Sequence, residues 1–171
     1  MKITASNNAL YTKAQVYALD AAAIASGIPG IQLMKRAGRA AFELLLERFP
    51  APERITVYCG SGKNGGDGYV LAALAAQRLI PVQVIQLTAG AKLSGEARIA
   101  YEFAVQEKVA IVPWAQAQLP TSGVVVDALL GIGLQGNARP EFEAAIQQIN
   151  ASKLPVLAID IPSGLDGDTG A

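Results

Sequence analysis

The chain has 171 residues, which is the length of one ordinary domain with a buried core. Hydrophobic residues make up 51% of it and charged residues 16%, and the mean hydropathy is +0.31, as is typical of a packed globular protein. The 14 basic and 14 acidic side chains cancel, so no basic surface that would hold a nucleic acid is expected. The absence of histidine excludes a histidine base and any metal site that needs imidazole, which leaves acid–base chemistry to carboxylates, lysine and tyrosine.

The composition of the chain predicts a cytoplasmic protein without a membrane partner. Residues 1–8 are polar and lack the apolar stretch of a secretory signal, and the longest uncharged apolar run, at 70–76, is too short to span a bilayer. The one cysteine, Cys59, ends an apolar run and is expected to be a buried thiol in a strand rather than part of a disulfide or a zinc site.

Two helices are predicted at the start of the chain. Thr12 and Gln15 match a capping box, and apolar residues then recur at helical spacing until residues 27–29. A second helix is predicted at about 31–49, where prolines follow. Its small residues at 37–41 would let another element approach closely, either in the core or at an oligomer interface formed by these helices. The apolar side of the second helix is predicted to contain Leu33, Met34, Ala37, Ala41, Leu44 and Leu45.

Beyond residue 54 the pattern changes to short apolar runs separated by helical stretches. Strands are predicted at 55–59, 82–87, 109–112, 124–126 and 156–159, and helices at 67–79, 94–107 and 140–151. Continuous apolar runs of this length are typical of strands buried on both faces. Their alternation with helices, joined by right-handed crossovers, predicts a doubly wound α/β fold with a mainly parallel sheet. No linker interrupts the pattern, so residues 1–171 are predicted to form a single domain.

A glycine-rich segment at 60–68 follows the first predicted strand and opens a helix. Glycines allow close backbone approach, and the free amides at a helix start can hold an anion. Gly60, Gly62 and Gly65 match the dinucleotide-binding fingerprint, but the next strand ends at Thr88 without the acidic residue that binds a ribose hydroxyl. This absence disfavours an ordinary dehydrogenase. Lys63 lies too early in the segment for a P-loop.

Polar side chains follow two further predicted strands. Asp127 comes directly after one strand, and Asp160 and Ser163 follow another. A carboxylate at the end of a buried strand needs a partner, and parallel strands would bring these side chains to the same edge as Asn64 of the glycine-rich segment. Such an all-oxygen set suits a hard cation such as potassium, sodium or magnesium. Asp67 either offsets the helix dipole or adds an ionised oxygen to this set.

Five blocks of sequence, in order, resemble the NAD(P)H-hydrate epimerases, the YjeF N-terminal domain family. The blocks are YTKAQ at 11–15 with Asp20, GIQLMKRAG at 30–38, NGGDG at 64–68, DALLG at 127–131 and DIPSG at 160–164. The resemblance implies a three-layer α/β/α Rossmann-like fold, commonly dimeric, which interconverts the R and S epimers of hydrated NADH or NADPH and binds potassium. Relatives continue into further strand and helix, and many into an ADP-dependent dehydratase domain. The domain is therefore expected to be shortened at its C-terminal end.

The resemblance also implies roles for individual residues. Potassium would be held by Asn64, Asp127 and Ser163, whose low total charge favours a monovalent cation, with sodium as a substitute. The substrate would contact Lys63, Asn64, Gly65, Gly66, Asp67, Gly131, Ile132, Gly133, Leu134, Gln135, Gly136, Asn137 and Asp160. Family members often have asparagine where Lys63 stands, so contacts with the substrate phosphates are expected to differ there.

Acid–base catalysis is predicted for Asp160, with Asp67 as second choice. The epimeric carbon of the hydrated nicotinamide carries a hydroxyl and the ring nitrogen, so one well-placed acid–base group is sufficient for the reaction. The alternative is that Asp160 only orients its loop or binds a ligand hydroxyl. For Asp127 the alternative is a carboxylate satisfied by backbone amides alone.

A non-catalytic ligand-binding or scaffold module is the alternative function. Related domains serve as interaction modules, including scaffold proteins of RNA decapping that have lost the catalytic residues. Here the polar residues named for the site are all present and the chain has no basic excess. Both observations favour an enzyme.

Overall fold

Helices and strands alternate along the described part of the chain, residues 11–134 and 136–170 of a computed structural model. Short 3-10 turns lie at Gly90–Lys92 and Trp114–Gln116. In chain order the helices and strands are α1 (Lys13–Ala25), α2 (Gly30–Arg48), β1 (Ile55–Cys59), α3 (Lys63–Gln77), β2 (Val82–Gln86), α4 (Gly95–Gln106), β3 (Ala110–Pro113), β4 (Val124–Ala128), α5 (Pro140–Ser152) and β5 (Val156–Ala158). None of these helices is long and apolar enough to cross a membrane.

The strands of the described residues form one parallel sheet in the order β3-β2-β1-β4-β5. The chain therefore moves outward from β1 to one side and then from β4 to the other, which confirms the predicted doubly wound sheet. Cys59 is level with Gln86 on one side and with Ala128 on the other. The carboxyl ends of β1 and β4 meet at the switch point of the topology, where ligands bind in sheets of this kind.

Helices cover both faces of the sheet, as the three-layer architecture requires. Residues Val57, Val84 and Val126 belong to the core cluster under α2, α3 and α4. The side chains of Tyr58 and Ile85 point to the opposite face and pack in the cluster that contains α5. Alternate residues of a strand face opposite sides, so β1 and β4 contribute to both cores.

The expectation that every strand is buried on both faces is wrong for the two edge strands. All residues of β1 and β4 are buried, but β3 and β5 are partly exposed, and Val156 is 45% exposed. A short apolar run shows that a strand forms but not where it lies in the sheet. That position depends on the order of the strands.

The first helix is attached by polar contacts. Thr12 and Gln15 form the predicted capping box. No residue of α1 is buried. The Lys13 ammonium pairs with Asp166, and the Lys13 amide donates a hydrogen bond of 3.0 Å to Asp168. The helix therefore lies against the loop that follows β5.

The second helix packs closely on α3. It buries Met34, Gly38, Phe42 and Leu45, so the predicted apolar side was right at Met34 and Leu45. It was wrong at Leu44, which is 41% exposed, and at Ala37, which is also exposed. The predicted close approach occurs at Gly38, where an added Cβ would lie 2.6 Å from the Cβ of a valine of α3.

Candidate functional site

The glycine-rich segment supplies the first turn of α3. The helix begins at Lys63, whereas the sequence predicted a loop there and a helix from residue 67. Glycine has a low helix propensity. Here glycine is needed for packing, because a Cβ at Gly65 would overlap with the backbone of Gly60. Because Asn64 and Asp67 are three residues apart in a helix, their side chains lie on the same side of this turn.

Asp127 is buried at the end of β4 and is well provided with donors. One carboxylate oxygen accepts hydrogen bonds from the Leu129 amide at 3.2 Å and the Ser163 hydroxyl at 2.6 Å. The other accepts the Ser163 amide at 2.8 Å. Backbone amides alone therefore do not satisfy this carboxylate, since the Ser163 hydroxyl takes part.

Asn64 reaches the same cluster from α3. Its side-chain nitrogen donates to the Leu130 carbonyl at 3.0 Å, and the Ser163 hydroxyl lies 3.1 Å from the same carbonyl. The Asn64 Oδ1 atom is buried and has no hydrogen-bond partner among the described residues. An unpaired buried oxygen costs about 1–3 kcal/mol, which a bound cation would offset.

The residues at this point fit a potassium ion. The sequence predicted Asn64, Asp127 and Ser163 as its ligands. In the structure Asn64 and Ser163 meet at the Leu130 carbonyl, and the Ser163 hydroxyl donates to Asp127. They offer amide, carboxylate and hydroxyl oxygens with a single negative charge. Such a set suits a monovalent hard cation better than magnesium.

Asp160 lies on the loop after β5. Its Oδ2 atom accepts a hydrogen bond of 2.8 Å from the Ile132 amide, and a Cβ at Gly131 would overlap with the same oxygen. The backbone of Asp160 has a φ of 66°, in the left-handed region that few residues other than glycine adopt. The side chain therefore joins the loop after β5 to the loop after β4.

Asp67 is half-buried and lies just after the first turn of α3. Burial raises the pKa of Asp67 to about 7, and the negative charges of Asp160 and Asp20 act in the same direction. The Lys63 ammonium, which is 3.3 Å from Asp20, partly opposes this rise in the pKa. A carboxyl group that exchanges its proton near neutral pH is a candidate for acid–base chemistry.

A cavity of about 980 Å³ joins these groups at the carboxyl edge of the sheet. A volume of this order suits a nucleotide-sized ligand. Of the predicted substrate contacts, Lys63, Asn64, Asp67, Asp160 and residues 131–134 line the cavity. The helices α1 and α2 form another wall, with Tyr17, Asp20, Ala37, Ala40, Ala41 and Leu44.

The other predicted contacts have different positions. Gly65 and Gly66 are buried within α3, and Gly136 and Asn137 are exposed beyond the lining of the cavity. Gln135 lies outside the described residues. Sequence reasoning missed the contribution of α1, because an amphipathic helix near the start of the chain was interpreted as packing. The only signal was Asp20, which belongs to the first of the five blocks.

The fold and the cavity define an α/β domain of the Rossmann-like class with a ligand site at its topological switch point. The family model described as YjeF-related protein N-terminus matches residues 30–171, well over half of the chain. The chain belongs to this family.

Curated relatives cover most of the chain. The bifunctional NAD(P)H-hydrate repair enzyme Nnr of Coxiella burnetii is 42% identical over 94% of this chain and 33% of its own length. The Nnr protein of Pyrobaculum aerophilum is 39% identical over 93% of this chain and 33% of its own length. The NAD(P)H-hydrate epimerase of Limosilactobacillus fermentum is 36% identical over 94% of this chain and 77% of its own length. The chain thus spans about a third of the bifunctional relatives.

A solved structure has the same fold. The crystal structure of yeast ynu0 superposes with a TM-score of 0.85 at 19% identity, over 94% of this chain and 73% of that one. At this identity the likeness shows the fold alone, and it confirms the predicted α/β architecture.

Proposed function

We propose that this protein is an epimerase that interconverts the R and S epimers of hydrated NADH or NADPH. Family membership and the names of the relatives support the proposal. The observation that carries it is the meeting of two groups at one wall of the cavity: the oxygen cluster around Leu130, and the carboxylates of Asp67 and Asp160. A scaffold module has no need of these groups in a nucleotide-sized cavity.

The proposed cofactor is potassium, held by Asn64, Asp127 and Ser163. A bound potassium ion would supply a fixed positive charge that orders the pocket, rather than strong Lewis-acid chemistry. The unpaired Oδ1 atom of Asn64 supports this assignment. The hydrogen bonds of Asp127 and Ser163 would hold the loops after β4 and β5 in place around the ion.

Positive charge in the cavity suits the phosphates of the substrate. Lys63 stands at the first residue of α3, where the helix dipole and the free amides favour an anion. Arg139 also lines the cavity. Both side chains are accessible to a ligand, and they support a nucleotide as the substrate class.

The reaction needs one carboxyl group beside the epimeric carbon. A protonated carboxyl that donates to the hydroxyl lets the ring nitrogen expel water, and the same group accepts a proton when water adds to the other face. Asp160 is the predicted residue and Asp67 the second choice, and both line the cavity. Their position at the cavity wall supports an acid–base role for one of these carboxylates.

Three wider properties are part of the proposal. We propose a homodimer formed through the N-terminal helices, supported by Leu19 and Ile24 of α1, which are 56% and 44% exposed. We propose a cytoplasmic location, supported by the free and buried thiol of Cys59. A dehydratase is the proposed functional partner, in a fused or separate domain, because the curated relatives include bifunctional repair enzymes.

The proposed activity is tested with purified R and S hydrates of NADH and NADPH. The protein is mixed with one epimer in potassium buffer, and the other epimer is followed by chromatography after the uncatalysed rate is subtracted. An epimerase brings either starting epimer to the same equilibrium mixture at a rate proportional to enzyme concentration. Binding of nucleotide without any faster epimerisation would instead support the ligand-binding module.

A further inference from the structure

We propose that Asp67 is the acid–base residue of this site and that Asp160 is a positioning residue for the loop after β4. This inference rests on the proposed epimerase function and reverses the order in which the sequence ranks the two carboxylates. It is carried by the different contacts of the two side chains.

Asp160 is committed to the backbone of the neighbouring loop. Its Oδ2 atom accepts the hydrogen bond of the Ile132 amide, and Gly131 leaves the space that this oxygen fills. The left-handed backbone of Asp160, on an exposed loop, is strained and persists only where the surroundings impose it. This oxygen holds the shape of the pocket, which leaves Asp160 less available than Asp67 to exchange a proton with the substrate.

Asp67 has the opposite set of contacts. No described residue donates a hydrogen bond to its carboxylate, and its surroundings act through burial and charge alone. The side chain stands just after the first turn of α3, and this helix packs against α2 and α4, so the backbone that carries the carboxyl group is held in place. It faces the cavity and is free to bond with a ligand hydroxyl.

The charged neighbours of Asp67 keep both protonation states accessible. Asp20 faces it from α1, Asp160 from the loop after β5, and Lys63 from its own helix. Glu96 of α4 lines a shared smaller cavity, and the Cys59 thiol of β1 also senses the charge of Asp67. Burial, Asp160 and Asp20 together raise the pKa of Asp67 to about 7. A group with this pKa can act as an acid and as a base within one turnover.

Asp67 also borders a second compartment. A cavity of about 110 Å³ adjoins it and is lined in part by Asp20, Lys63 and Glu96. At roughly 30 Å³ per molecule it has room for about three waters among these polar groups. Water in this cavity would therefore be within reach of Asp67 for proton exchange.

The proposed chemistry balances without a further reactant. Protonated Asp67 gives its proton to the hydroxyl of the hydrated ring, the carbon–oxygen bond breaks, and the nitrogen lone pair forms a carbon–nitrogen double bond as water leaves. Water then adds to the opposite face of that carbon, and the proton it releases returns to the Asp67 carboxylate through water. The centre is inverted and the acid is regenerated.

The test compares Asp67→Asn and Asp160→Asn in the full chain. We expect Asp67→Asn to lower kcat by about 10²–10⁴-fold, the usual contribution of a general acid–base group, while the Kd for NADP⁺ changes less than about threefold. We expect Asp160→Asn to keep more than about a tenth of kcat, to raise KM, and to speed amide hydrogen exchange at Ile132. Asp67→Glu, which keeps the carboxyl group, should regain part of the lost kcat.

The outcomes separate the two proposals. A wild-type protein that binds NADP⁺ but leaves the hydrates unchanged removes the proposed function itself. An active wild type with near-normal Asp67→Asn and inactive Asp160→Asn overturns only the assignment of Asp67. The assignment also fails if Asp160→Asn loses kcat as strongly as Asp67→Asn while exchange at Ile132 is unchanged.

Discussion

Asp127 and Ser163 are 36 residues apart in the chain and are joined by two hydrogen bonds, 2.8 Å from the serine amide and 2.6 Å from its hydroxyl. The same hydroxyl accepts a hydrogen bond of 2.9 Å from the Leu130 amide. One serine therefore connects the loop after β5 to a buried carboxylate and to the loop after β4. The geometry of the candidate ion site depends on this connection.

Loss of the Ser163 hydroxyl is expected to destabilise the fold. In Ser163→Ala, Asp127 loses one donor and the Leu130 amide loses its acceptor, so the free energy of unfolding should fall by about 1–3 kcal/mol. Urea unfolding measures this change. Ser122→Ala is the matched control, because the Ser122 hydroxyl makes only a surface hydrogen bond to Glu53 and its loss should cost less than about 0.5 kcal/mol. Equal losses in the two variants would contradict the role of Ser163.

Potassium is expected to stabilise the wild-type protein through Asn64. At ten times its Kd a bound ion adds about 1.4 kcal/mol to the free energy of unfolding, so the melting temperature should be higher in potassium chloride than in tetramethylammonium chloride. In Asn64→Ala the difference between the two salts should disappear. Asn150→Ala, at an exposed position of α5, should keep it. Identical melting in both salts for the wild type would count against the ion site.

Epimerisation is expected to slow as the pH rises above about 7. Burial raises the pKa of Asp67 to about 7, and the acid form begins the reaction, so kcat should fall about tenfold per pH unit beyond that value. Asp20→Asn removes a charge that raises the pKa of Asp67, so the fall in kcat should begin at a lower pH. Lys63→Gln removes a charge that lowers the pKa of Asp67, so the fall in kcat should begin at a higher pH.

The control for the pH profile is Glu53→Gln. Glu53 is exposed and precedes β1, at the edge of the sheet opposite the site. In this variant kcat should begin to fall at the same pH as in the wild type. If the pH at which kcat falls shifted in the same direction in Asp20→Asn and Lys63→Gln, a group other than Asp67 would control the pH dependence.

Asp67→Asn is expected to stabilise the protein at alkaline pH while it removes activity. The pKa of Asp67 rises on folding to about 7, so the folded state prefers the protonated carboxyl, and ionisation costs stability as the pH rises from about 4 to 7. Because the side chain is only half-buried, we expect a gain of about 1–2 kcal/mol at pH 8. At pH 4 the gain should vanish, since the carboxyl is then protonated in the folded protein. Unfolding in urea at both values measures the difference, and a gain independent of pH would rule out ionisation as its source.

Local features of the sequence determined most of the secondary structure. The capping box at Thr12 and Gln15 and the apolar runs at 55–59 and 124–126 predicted a helix start and two central strands, and all were confirmed. These signals are local, because a capping box needs two residues three positions apart and a buried strand needs a short run of apolar residues. The alternation of strands with helices then determined the class of the fold, since parallel strands require crossover helices.

Features that depend on contacts between residues distant in the chain were decided only by the tertiary structure. The helix α3 begins at Lys63, although the glycines that follow favour a loop, and Gly65 lies so close to the Gly60 backbone that no side chain would fit there. The strand order left β3 and β5 at the edges. The sequence placed Asp67 and Asp160 at one site and ranked Asp160 first. The opposite order proposed here depends on which carboxylate accepts the Ile132 amide and which one is affected by burial and nearby charge. Burial, hydrogen bonding and charge act through space, so their effects appear only when the chain has folded.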